Sequence, residues 1–307
     1  MTQGENGLSI ANIFGIGQTS EIQQVIALDL RLPRMLCAIG VGALLAMSGC
    51  TMQTIFRNPL VEPYTMGISG GAVVGVGIAF MFGFVDEYGN IVLSIFSACG
   101  ALCAMAIVLW LRRAVGADTQ TTLICGIMIS FVTSASTTLM LSLSTHENMT
   151  QVVAWTIGSF EGTMLPQAIF ILAVATLLAL TSPLAGKTLN ILSLGDEEAS
   201  AVGLNVQKTT RLLFILATLA ASLSVATAGI VAFVGMAVPQ VVNMIYGTDR
   251  RVSLPISALG GATLMVACDL TARIVIAPRE LPAGAVCAAV GGLFFIYVVV
   301  RWRNQIN

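Results

Sequence analysis

This sequence predicts an all-α, polytopic transmembrane helical bundle, and three observations predict it. Charged residues make up 9% of the chain, against roughly 25% in soluble proteins. Apolar residues make up 56%, which leaves too little charge to cover a soluble surface. The apolar residues come in unbroken runs near the roughly 20-residue length that a helix needs to cross a bilayer core. A transmembrane barrel would show short alternating strands instead.

Taken in order, residues 1–30 are polar, carry Glu5, Glu21 and Asp29, and lack the cationic start and apolar stretch of a signal peptide or anchor. Arg31-Leu32-Pro33-Arg34 then precedes the first apolar run, 35–56, which carries Gly42, Ala43, Ser48, Gly49 and Gln53. Arg57-Asn58-Pro59-Leu60 ends that run, and Pro63, Gly67, Ser69, Gly70, Gly71 and Ala72 open the second, 64–84. Further spans are expected at 91–111, 121–142, 164–182, 209–230, 231–246, 254–276 and 284–300, nine visible spans in all. The seventh is short and contains Pro239, so it reads as a partial or broken crossing.

Orientation follows from the cations, because short cytoplasmic loops carry the excess of Lys and Arg. Alternate threading places Arg57, Arg112, Arg113, Lys187, Lys208, Arg211, Arg250, Arg251, Arg301 and Arg303 on one side, which is thereby the cytoplasm. Only Arg31, Arg34, Arg273 and Arg279 fall outside, and they need a local reason to be there. The net charge of -1 hides this asymmetry and argues against a nucleic-acid partner.

The succession Arg-Leu-Pro-Arg, apolar helix, Arg-Asn-Pro-Leu and Gly-rich helix start resembles the FecCD family of bacterial ABC importer permeases. Ala228-Gly229-Ile230-Val231-Ala232-Phe233-Val234-Gly235 and Glu280-Leu281-Pro282-Ala283-Gly284 extend the likeness towards the C-terminus. The resemblance implies a type II ABC importer permease fold in the bacterial inner (plasma) membrane, serving iron-siderophore complexes, haem or cobalamin. Members are generally built from ten helices, one of them ahead of Arg-Leu-Pro-Arg. Residues 1–30 look instead like the external segment that would follow that missing helix, with 31–307 as the permease domain. A start placed too far downstream or a shortened chain is favoured over a nine-helix permease, because an external N-terminus lacking a leader has no obvious export route. Two departures stand out. Pro239-Gln240 and Asn243 occupy places where many members have His and Arg, and Gly291-Gly292-Leu293 replaces a Gly-Ala-Pro pattern. The first removes ionisable groups from the seventh span and leaves the substrate subclass open.

Residues 183–208 are expected to be a cytoplasmic loop that contains a short helix. Asp196, Glu197 and Glu198 after Gly195 suit a first turn, where carboxylates meet the positive end of the helix dipole, and Gly203 suits its end. The resemblance makes 189–206 the segment that sits on the ATPase subunit, with Leu194, Gly195, Asp196, Glu197, Glu198, Ala199 and Gly203 as the coupling residues. The alternative is a solvated connector, which needs neither Leu192 and Leu194 on the way in nor Leu204 and Val206 on the way out.

Arg31 and Arg34 lie three apart around Pro33, so both guanidinium groups are expected to face outward as forked donors to carboxylates. The resemblance implies that they meet acidic residues of a periplasmic binding protein, with Arg273 as a third member. Snorkelling to the interface is the alternative for the pair. Asp269 stands four residues before Arg273, at the spacing of a local ion pair.

The translocation path is less legible. Gln53 and Asn58 either line a passage or bond to neighbouring backbone, and Thr119, Thr121 and Thr122 are gate candidates at the cytoplasmic entry of the fourth span, where the family narrows its channel. Gly42, Gly49, Gly70, Gly71, Gly75 and Gly77 read as close-packing positions rather than vestibule wall. The seven cysteines lie in or beside apolar runs and read as small packing residues; Cys99 and Cys103, one turn apart, have no His or further Cys nearby to complete a metal site. His146 is expected on an exposed external loop. Gly186-Lys187-Thr188 lacks the glycine that a phosphate-binding loop needs five residues earlier, where Thr181 stands. The chain therefore reads as a transport subunit that is not an enzyme, has no cofactor or metal of its own, and leaves ATP and magnesium to a separate ATPase subunit.

The expected assembly is a homodimer or a pair with a paralogous permease, fed by a substrate-binding protein. Ferric siderophore is the first-choice cargo, with haem or cobalamin as the alternative. An ion-coupled secondary transporter is the reading from a different class. It suffers from having Asp269 as the only acid inside the spans, beside Arg273.

Overall fold

Pro33 opens the first helix, where its missing N–H and fixed φ cost nothing. The computed structural model describes residues 26–89, 91–115, 119–276 and 280–306, with the side chains of Ile26, Thr119 and 295–306 excepted. A π-helical turn, Ile26–Arg31, leads into α1, Leu32–Phe56. Then come α2 (Ile68–Met81), α3 (Ile91–Val115), α4 (Thr119–Leu143), α5 (His146–Thr156) and α6 (Leu165–Leu194). The series closes with α7 (Asp196–Ala201), α8 (Val206–Ala228), α9 (Val234–Tyr246), α10 (Arg250–Ile274) and α11 (Ala283–Ile306). Most of the expected segment 1–30 lies outside the described residues.

Each of the nine expected spans falls on a helix, and among the described residues six helices are long and apolar enough to cross a membrane. The helices α2 and α9 are shorter, whereas α11 runs for 24 residues. The short seventh span thus appears as the 13-residue α9, with Pro239 inside it.

The bundle is organised around α1, which packs against α6, α8, α9 and α10 and is the most thoroughly enclosed span. Its two closest crossings are glycine on glycine. A Cβ on Gly42 would collide with the carbonyl of Gly261 in α10, and one on Gly49 with the carbonyl of Gly235 in α9. Small residues let the backbones meet because lipid supplies no hydrophobic drive to press bulkier helices together. A second layer, α2 with α3 and α4, packs outside this core, and α3 and α4 leave most of their surface uncovered.

Three local expectations are corrected. The span predicted at 164–182 runs on as α6 through Pro183 to Leu194, so the loop expected from 183 is helical in its first half. Pro183 cannot donate to the carbonyl of Ala179, but the Ser182 hydroxyl does so at 2.7 Å and replaces the missing bond. Buried Leu189 and Leu192 then hold the extension against the core. Residues around His146 form α5 rather than a loop, started by Thr145, whose hydroxyl accepts from the Asn148 N–H. Cys99 and Cys103 are exposed on α3, whereas the other five cysteines are buried. The first two are therefore not core packing residues in this chain.

Candidate functional site

At the end expected to be cytoplasmic, two helix termini grip the segment expected to couple. Gly195 adopts φ 142°, ψ 160°, a backbone conformation that side chains disfavour, and redirects the chain from α6 into α7. The acids Asp196, Glu197 and Glu198 occupy the first turn of α7. Its end is a Schellman motif: the Gly203 N–H donates to Ser200 O at 2.9 Å, the Leu204 N–H to Ala199 O at 3.1 Å, and Gly203 takes φ 88°. Ala199 and Leu192 are buried, whereas Leu194, Glu197, Glu198 and Val202 face outward.

Arg57 holds this segment from the end of α1. It is one of two non-glycine residues with positive φ among the described residues, and its guanidinium pairs with Asp196 and donates to Leu192 O at 3.3 Å. The second grip comes from α10. Asn190 donates to Asp249 Oδ1 at 2.7 Å and accepts the Arg250 N–H at 2.8 Å, while Asp249 caps α10. The Arg251 guanidinium first, and the Asn190 amide second, hold the Asp249 carboxyl well below the usual carboxylate range. The signal for Arg57 was present in the Arg-Asn-Pro-Leu motif, but nothing in the sequence named its partner 139 residues on.

Gln53 is buried and bonds backbone. Pro239 leaves the carbonyl of Gly235 without its helical donor, and Gln53 Nε2 supplies one at 3.1 Å, with Met236 O at 3.2 Å. Gln240 in turn donates to Pro59 O at 3.0 Å. Asn58 Oδ1 accepts the Leu60 N–H at 2.9 Å, a local turn. Of the gate candidates, Thr119 begins α4 with its side chain outside the described set, Thr121 is half-buried and Thr122 is buried.

At the opposite end, Arg34 turns inward rather than outward. Its Nε donates to Asp269 Oδ1 at 2.7 Å and its Nη1 to Glu280 Oε2 at 2.5 Å. Arg273 reaches the other Asp269 oxygen at 3.3 Å, which is the pair that the spacing predicted. Arg31 is half-buried and lines a small cavity with Asp269 and Arg273. Two distant Leu-Pro motifs, Arg31-Leu-Pro-Arg34 and Glu280-Leu-Pro, are thus joined by one ion pair. Arg279 lies outside the described residues.

The other sequence motifs converge beside this network. The Ser159 N–H donates to Ala228 O at 2.9 Å and the Gly284 N–H to Gly158 O at 3.1 Å. Phe233, also at positive φ, starts α9. Glu62 points inward to the Phe233 N–H, with its Oε2 buried and lacking a hydrogen-bond partner among the described residues. Sequence reading missed Glu62 because it lies between spans rather than in one. A groove of about 430 Å³ between α2, α4 and α5 is lined by Ser69, Ser130, Thr133, Ser134, Thr137 and Thr138, and no charged side chain is among its lining residues.

Comparison with known proteins places this geometry. The FecCD transport family matches residues 1–301, so the likeness extends ahead of Arg31. The hemin transport system permease protein HmuU of Yersinia pestis is 35% identical over 296 residues, covering 94% of this chain and 86% of its own. The vitamin B12 import system permease protein BtuC of Vibrio vulnificus is 33% identical over 282 residues, covering 92% and 85%. A solved structure described as an inward-facing conformation of a metal-chelate type ABC transporter superposes with a TM-score of 0.85 at 29% identity, covering 98% of this chain and 93% of that one. The chain belongs to the FecCD transport family, as a multi-pass inner-membrane permease subunit of an ABC importer that leaves ATP hydrolysis to a separate ATPase.

Proposed function

We propose that this permease passes an intact ferric siderophore from a substrate-binding protein to the cytoplasm, along a path enclosed with a second permease chain, identical or paralogous. The observation that carries the reading is the hydroxyl-lined groove of about 430 Å³. Ser and Thr hydroxyls set among apolar Val73, Leu141, Val152 and Ile230, with no charge, suit a large, metal-shielded complex held by shape and a few hydrogen bonds. A bare cation would lose its hydration there without replacement. The relatives named for hemin and vitamin B12 keep those cargoes as the second reading.

The other expected roles belong to the same proposal. Arg31, Arg34 and Arg273 form the docking site for the binding protein, with Arg34 holding Glu280 and Asp269 in place while Arg31 and Arg273 meet the partner. Leu194, Gly195, Asp196, Glu197, Glu198, Ala199 and Gly203 couple to the ATPase, through the outward face that Leu194, Glu197 and Val202 present. Thr119, Thr121, Thr122 and Asn58 close the path at the cytoplasmic end, and Gln53 shapes it by fixing the start of α9. Nucleotide-driven movement of α7 then switches the cavity between outward and inward access. Proteoliposomes holding the chain with its ATPase and binding protein test the cargo. ATP-dependent uptake of ferric siderophore, unaffected by excess haem or cobalamin, is the expected result. Uptake of haem or cobalamin alone would move the assignment to that cargo.

A further inference from the structure

A second cavity, of about 190 Å³, lies on the cytoplasmic side between the end of α3 and the start of α8. Among the described residues its lining is Leu109, Arg112, Arg113, Gln207, Lys208 and Arg211, four cations with no acid beside them, and Arg112 already has an interaction of its own. The two helices pack against each other, so the four charges are held together by the fold and not by sequence proximity.

For Arg113, Lys208 and Arg211 the placement is unfavourable without a counter-charge. Lys208 and Arg211 sit in the first two turns of α8, where the helix dipole is positive and where acids are normally found. The first turn of α8 has no acid. Among the described residues Arg113, Lys208 and Arg211 make no ion pair, whereas Arg34, Arg57, Arg251 and Arg273 each do. An anion drawn from outside the chain meets that deficit.

The surroundings select the kind of anion. Membrane-ward of the cations along each helix, Trp110 on α3 and Leu212 and Leu216 on α8 are exposed apolar side chains. Basic pockets between transmembrane helices on the cytoplasmic side hold anionic lipid headgroups, whose acyl chains run on along such apolar side chains. A free anion or a carboxylate-rich protein partner would use the charges alone. We propose that this pocket is a binding site for an anionic phospholipid, with its phosphate between Arg113, Lys208 and Arg211 and its chains beside Trp110.

Trp110 supplies the probe. In a Trp155→Phe, Trp302→Phe background, the full chain is placed in phosphatidylcholine vesicles containing a minor fraction of brominated phosphatidylglycerol or, in parallel, brominated phosphatidylcholine. Quenching of Trp110 by the anionic lipid should exceed that by the zwitterionic one. Because each cation near the surface is worth about fivefold in anionic-lipid preference, neutralising Arg113, Lys208 and Arg211 to Gln should lower it by on the order of a hundredfold. The Arg113→Lys, Arg211→Lys variant keeps the charge and should keep the preference, which separates loss of the site from loss of the fold. Equal quenching by the two lipids, or a preference that survives the triple neutralisation, overturns the proposal. Displacement of the brominated anionic lipid by inorganic phosphate would assign the pocket to a free anion, and displacement by the purified ATPase subunit would assign it to that protein; either result overturns the lipid assignment.

Discussion

The two ends of this permease are tied together within the chain by opposite electrostatic means. At the outer edge, Arg34 is buried and divides its guanidinium between Asp269 and Glu280, with Arg273 on the second Asp269 oxygen. At the cytoplasmic edge, Arg57 and Asp196 form a single pair whose side chains are 42% and 53% exposed. A buried network tolerates little rearrangement, because any lost partner strands a charge away from water. An exposed pair exchanges its partner for solvent at little cost. The buried network is therefore expected to behave as a fixed frame, and the exposed pair as a joint that opens without unfolding the bundle.

The largest effect should come from breaking the frame. Arg34→Met leaves Asp269 buried with only the weaker Arg273 contact and should destabilise the protein by about 3–5 kcal/mol. Thermal unfolding of the detergent-solubilised chain measures this, and the double change Arg34→Met, Asp269→Leu should recover most of the loss. A single variant as stable as wild type would show that the outer network is not a frame.

Gln53→Leu comes next. It removes the donor that stands in for Pro239 and strands the Gly235 carbonyl, at a cost of about 1–3 kcal/mol. The same unfolding measurement applies, and Pro239→Ala, which restores the helical N–H, should partly compensate. Absence of any coupling between the two positions would break the explanation given for the short helix.

Arg57→Ala sharpens the contrast most directly. Its stability should change by less than about 1 kcal/mol, yet ATP hydrolysis in the assembled importer should continue with uptake largely lost. Normal uptake would remove Arg57 from the joint. The smallest effect belongs to Asp249→Asn. The Asp249 carboxyl titrates lower in the folded chain than the unfolded value of about 3.9, so its contribution is present above that value and disappears as pH falls through the folded one. The melting-temperature gap between wild type and Asp249→Asn should be constant from about pH 8 to about pH 5 and close below about pH 4.

Legibility differed by region for physical reasons. Local chemistry was readable: the acids and Gly203 of α7 carried its start and end, and the spacing of Asp269 and Arg273 carried their pair. The course of α6 was misread because Pro183 stops helices in water, while here the Ser182 hydroxyl repairs the break and buried Leu189 and Leu192 extend the helix. Arg34 was expected to face outward because its neighbours in sequence offer no acid. Its partners arrive from residues 235 and 246 positions away.

By itself the sequence determined that this chain lives in a membrane, roughly where its apolar runs lie and which family it joins. These follow from composition, run length and local motifs, all of which are read along the chain. Tertiary structure alone decided that Gln53 serves Pro239, that Arg57 clasps the start of α7, that Arg34 is framework, and that Arg112, Arg113, Lys208 and Arg211 share one pocket. Those outcomes depend on which helix faces which, and helices in lipid choose neighbours by close glycine contacts and by the need of each buried polar group for a partner.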